Sequence, residues 1–78
     1  MTTLDIVFTT VDSVKEFVNA LVAFDCDFDM ISGRYVVDAK SIMGIYSLDL
    51  SKPISLAIHT DEEEEIAKIK AAIKNYLI

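Results

Sequence analysis

An α+β open sandwich, one sheet covered on one face by helices, is the fold this sequence predicts. Three observations carry that expectation. Short runs near residues 4–8, 28–37 and 54–58 alternate apolar and polar side chains, the two-residue period of a strand with one buried face. Between and after them lie stretches whose apolar residues recur at helical spacing. The elements follow one another as β-α-β-β-α-β-α in a chain of 78 residues, which suffices for a single domain over residues 1–78.

Leu4, Ile6 and Phe8 alternate with Asp5, Val7 and Thr9 to give the first strand. Ser13 and Glu16 have capping-box spacing, and Val14, Phe17, Val18, Leu21 and Val22 form the apolar stripe of a first helix of about three turns. Residues 27–39 read as a hairpin. Phe28 and Met30 alternate with aspartates, Ser32-Gly33 supplies a tight turn, and Tyr35, Val36 and Val37 return. A short helix opens at Ser41, with Ile42, Met43 and Tyr46 sharing a face. Ile54, Leu56 and Ile58 form the last strand, which Pro53 can precede because no ladder donor is needed there. Thr60 with Glu63, and Asp61 with Glu64, offer capping-box spacing for a final helix with the stripe Ile66, Ile69, Ile73, Tyr76 and Leu77.

Composition narrows the function classes. Hydrophobic residues make up 53% of the chain, enough for a core without metal or disulfide support. With one cysteine, Cys26, no internal disulfide can form, and a reducing compartment fits. No signal-peptide pattern occurs, and no apolar run approaches the ~20 residues that span a bilayer, so a cytoplasmic location is expected. The net charge of −6, with only Arg34 and six lysines against thirteen acids, argues against nucleic acid and anionic membranes as partners. The acidic clusters at residues 25–29 and 61–65 lack the glycine-turned spacing of a calcium loop and read as solvated faces. Cys26, flanked by Asp25 and Asp27, is expected to be a poor nucleophile with a raised thiol pKa. No nucleophile–base set, glycine-rich phosphate loop or metal-ligand spacing is present, so enzymatic activity, a metal and a cofactor are not expected.

The segment Ala39-Lys40-Ser41-Ile42-Met43-Gly44-Ile45-Tyr46-Ser47-Leu48 closely resembles the regulatory-serine segment of HPr, the small phosphocarrier of the bacterial sugar phosphotransferase system, and of HPr-like regulators. The resemblance covers nearly the whole chain, strongest from Phe24 to Leu48 and weakest before Phe17. It implies a four-stranded antiparallel sheet in the order 1-4-2-3 with three helices on one face. It also implies phosphorylation of Ser41 by HPr kinase/phosphorylase, with Lys40, Ile42, Met43 and Tyr46 as a docking patch. The partners implied are that kinase, a transcriptional regulator of carbon catabolite regulation, and enzyme I.

The family's histidine motif, roughly Gly-Ile-His-Ala-Arg-Pro, is absent. Its place before the first helix is taken by Thr9-Thr10-Val11-Asp12-Ser13, about four residues shorter and without histidine, arginine or proline. Asp12 sets a carboxylate where a phosphate would sit, and like charges ~4 Å apart repel by several kcal/mol at intermediate dielectric. The only histidine, His59, follows the last strand, whereas the family site follows the first. Antiparallel neighbours end at opposite edges, so His59 reads as a solvent-facing residue beside carboxylates. The combination resembles the Crh type of HPr homologue, which lacks the active histidine and keeps the regulatory serine. Two departures are the shortened loop and a first helix on which only Lys15 is basic. The expected function is therefore regulatory, through Ser41. The alternatives are a phosphocarrier using His59 and an interaction module that carries no phosphate.

Overall fold

The computed structural model describes residues 2–78. Its elements are β1 (Thr2–Ile6), α1 (Asp12–Leu21), β2 (Phe28–Ser32), β3 (Tyr35–Asp38), α2 (Ile42–Tyr46), β4 (Ile54–Ile58) and α3 (Glu63–Ala72), with a closing 3-10 turn at Lys74–Tyr76. The sheet is antiparallel throughout, in the order β1-β4-β2-β3. Both the α+β class and the strand order expected from the sequence are therefore present.

Alternation explains the layers. Cross-strand partners share a face, and the registers Ile6↔Ile54, Met30↔Leu56 and Phe28↔Ile58 bring the apolar set of three strands together. These six side chains are buried. Above them lie Val14, Phe17, Val18 and Leu21 of α1, Ile45 of α2, and Ile69 and Ile73 of the C-terminal segment, all buried. Burying each large aliphatic or aromatic side chain contributes ~1.5–3 kcal/mol, the main drive for the fold. The opposite face carries Thr3, Asp5, Asp29, Ile31, Val36, Asp38 and Ser55, none of them buried, and Ala57, a small side chain buried between Thr3 and Asp29.

Four local expectations require correction. The capping box at Ser13 and Glu16 does not form: α1 begins at Asp12, two residues before a helix capped by Ser13 would, and Thr10 Oγ1 accepts from the Ser13 amide at 3.2 Å. Ser13 Oγ donates to Thr10 O, and Glu16 instead accepts from the Tyr76 hydroxyl. At α3 neither capping box forms; Thr60 Oγ1 accepts from the Glu62 amide at 3.3 Å. The stripe expected to run helically to Leu77 ends at Ala72. Beyond it, Tyr76 O accepts from Val7 N at 2.9 Å and Ile78 N donates to Asp5 O at 3.2 Å, so Leu77 bridges Ile6 as an antiparallel strand residue. Pairing with the exposed edge of β1 outweighs helix continuation, and the closing turn sets Tyr76 against Phe17 of α1 at 5.4 Å. The hairpin turn is also displaced by one: Ser32 pairs with Tyr35, and Gly33 at φ +59° occupies the first of two loop positions, where glycine avoids the Cβ clash.

Candidate functional site

Ser41 is extended (φ −101°, ψ 109°) and its Oγ accepts from the Gly44 amide at 3.1 Å. That is the N-cap geometry, which contributes about 1 kcal/mol to a helix end. Ser41 as a residue is half-buried, with its hydroxyl turned to the helix end. The turn before it is held by Asp38, whose Oδ1 accepts from Lys40 N at 2.9 Å and whose carbonyl accepts from Ser41 N at 3.0 Å.

The residues expected around Ser41 divide into three kinds. Met43 is 78% exposed and stands out from α2. Ile42 and Tyr46 are half-buried against the core, and Ile45, between them, is fully buried. Tyr46 also donates to Val11 O at 3.4 Å, tying α2 to the entrance of α1 beside exposed Val11. Lys40 points elsewhere: its Nζ donates to Phe24 O at 2.7 Å and lies 5.5 Å from the Phe28 ring centroid. A charge-assisted hydrogen bond plus a cation–π contact anchors this lysine to the loop after α1.

Gly44 has a role that periodicity does not reveal. A Cβ there would lie 3.2 Å from Ser41 Oγ and 3.3 Å from Val37 Cβ. Glycine thus lets α2 lie directly on β3 while its amide reaches the cap. Gly44→Ala gains helix propensity of roughly 1 kcal/mol. It also crowds the capping hydroxyl and a β-branched side chain held by the sheet, each of which must give by a few tenths of an ångström. The expected net result is a destabilisation of about 1–2 kcal/mol, read as a lower urea midpoint. A midpoint above wild type would show that the contact is slack.

The entrance to α1 has the composition the sequence announced. A recess beside it is lined by Phe8, Thr9, Thr10, Val11, Leu50 and Ser51, with no cationic side chain among them. Asp12 at the first turn is exposed. A phosphoryl group would find hydroxyls and backbone here, but no imidazole to carry it and no guanidinium to neutralise it.

His59 lies at the other end of the sheet. Register pairs Thr2 with Ile58 at one end and Ile6 with Ile54 at the other, so His59 continues past the Thr2 end while residues 9–13 follow the Ile6 end. Its Nε2 is 2.6 Å from Asp29 Oδ2, and its amide donates to Asp27 O at 3.0 Å. The carboxylate beside it is thus Asp29 on β2, rather than the nearby run at residues 61–65. Asp29 faces Asp38 directly across β2–β3, a like-charge pair that disfavours the ladder. Asp29 turns to His59 and Asp38 to the Lys40 amide, which separates the two charges.

Cys26 is half-buried and free. Burial raises its thiol pKa first, and a hydrogen bond and the charge of Glu65 add to that rise. The direction matches expectation, but the carboxylate responsible is Glu65 on α3, not the flanking aspartates. Among the described residues no group of three or more His, Cys, Asp or Glu side chains is placed to hold a metal ion. No helix among them is long and apolar enough to cross a membrane.

Comparisons with known proteins agree with this geometry. The family model described as "PTS HPr component phosphorylation site" matches residues 13–76. Among solved structures, the chain is similar to HPr-C-His from Thermoanaerobacter tengcongensis, with 28% identity and a TM-score of 0.74 over 96% of this chain and 93% of that one. It also shares its fold with a phosphocarrier protein HPr from Bacillus anthracis str. Ames, with 22% identity and a TM-score of 0.73 over 96% and 93%. No curated protein matches the chain. The family match runs from the start of α1 to the closing turn, and the 1-4-2-3 sheet and the serine-capped α2 lie within the same likeness: this chain belongs to the HPr family of the phosphotransferase system.

Proposed function

We propose that this HPr-family protein is regulatory and acts through Ser41, without carrying phosphate on a histidine. The observation that carries the reading is the α2 entrance. Ser41 Oγ is held at the cap by the Gly44 amide while Met43, two residues on, is 78% exposed. A hydroxyl in a fixed position next to an exposed flexible apolar side chain suits a protein that recognises and modifies it. In that step Ser41 Oγ displaces ADP from the γ-phosphorus of ATP, and its proton passes to a base of the kinase. The partners are proteins: HPr kinase/phosphorylase and a transcriptional regulator. The chain works as a single domain, in the cytoplasm.

The same reading accounts for the α1 entrance. Its Thr9–Ser13 connection lacks the imidazole and guanidinium a carrier needs, and His59 lies beyond the opposite end of β4 among Asp27, Asp29 and Asp38. Phosphoenolpyruvate with enzyme I is therefore expected to leave the intact mass unchanged. Phosphate mapped to His59 in that reaction would establish the carrier reading in its place.

A further inference from the structure

The two edges of the sheet are not alike. The outer edge of β1 is bridged at Ile6 by Leu77. β3 closes the other side with nothing beyond it in the sheet order, and Tyr35 and Val36 are 71% and 59% exposed. Ala39 N donates to Phe28 O at 3.0 Å, so the backbone groups of residues 35, 37 and 39 turn toward β2. Those of Val36 and the Asp38 amide then turn outward, as a template for another strand.

We propose that β3 pairs antiparallel with β3 of a second copy of this chain, with Val36 opposite Val36 on the two-fold axis. The sequence of the edge is self-complementary in that register and in no neighbouring one. Tyr35 falls opposite Val37 of the other copy, an aromatic against a β-branched residue, and Arg34 falls opposite Asp38, twice by symmetry. Val36 and Asp38 share one face of the strand, and Arg34, exposed in the turn just before β3, has a side chain long enough to meet the other copy's Asp38 carboxylate at the end of the edge. Asp38 uses Oδ1 for the Lys40 amide, and its second oxygen can accept from Arg34. The reciprocal Val36 bonds use the outward amide and carbonyl. A shift of two residues in register would set Arg34 against Val36 and lose both charge pairs. The interface is small, so the dimer is a weak, concentration-dependent one.

Sedimentation velocity on the full chain from micromolar to millimolar tests this. The mass is expected to rise from 8.7 kDa toward twice that value. Val36→Lys and Arg34→Asp should each weaken association by about tenfold or more. Arg34→Asp combined with Asp38→Arg should restore it to within about threefold of wild type, because each pair is re-formed with its signs exchanged. Thermal unfolding of each variant verifies that it is folded, since Asp38 also caps the turn before α2. A mass that stays at 8.7 kDa at every concentration overturns the proposal. So does association indifferent to Val36→Lys, or a folded charge-exchange variant that fails to recover.

Discussion

Phe17→Ala is expected to lower stability by about 3–5 kcal/mol, the range for deleting a fully buried aromatic side chain. Phe17 has no exposed surface and sits at the meeting point of three parts of the chain. Its ring packs edge-on against Phe8 at 5.2 Å and against Tyr76 at 5.4 Å, and Phe8 and Tyr76 lie 6.0 Å apart. Each such aromatic pair contributes ~0.5–1.5 kcal/mol beyond area burial. The cluster joins the segment just after β1, the inner face of α1 and the closing turn. Small domains have roughly 0.05–0.15 kcal/mol of stability per residue. Losing Phe17 should therefore remove much of the total, and urea unfolding of the variant should begin near zero denaturant. A loss under about 1 kcal/mol would show that the cluster collapses into the vacated space. Glu16, which accepts from the Tyr76 hydroxyl at 3.4 Å, offers a milder companion: Glu16→Gln should leave the urea midpoint nearly unchanged.

Met43→Asp addresses function with little effect on the fold. Met43 is 78% exposed in the first turn of α2, where a carboxylate is tolerated, so stability should change by no more than about 0.5 kcal/mol. If a kinase docks on α2, a charge in the centre of the contact should slow phosphorylation of Ser41 by about tenfold or more, equivalent to ~1.4 kcal/mol. Initial rates with ATP and HPr kinase decide it. A rate within about twofold of wild type would place the docking surface elsewhere.

The sheet was legible because its period of two is strict: Ile54, Leu56 and Ile58 have no other face to occupy, and their partners Phe28 and Met30 follow the same rule. The cap at Ser41 was legible for the same local reason. What local patterns could not show is decided by contacts far apart in sequence. The C-terminal stripe looks helical through Leu77, yet the open edge of β1 captures it. Lys40 looks free beside Ser41, yet Phe24 and Phe28 hold it. His59 looks governed by the acidic run that follows it, yet Asp29, thirty residues earlier, meets its ring. Gly44 carried a faint signal, a glycine within a five-residue helix, and the close approach to Val37 supplies its reason.

The regulatory reading is tested most directly by phosphosite mapping after incubation with ATP and HPr kinase, with wild type and Ser41→Ala side by side. The account predicts phosphate on Ser41 in the wild type and none in the variant, which should remain folded after losing a cap worth about 1 kcal/mol. An unmodified wild type, or phosphate on another residue that persists in Ser41→Ala, would contradict it.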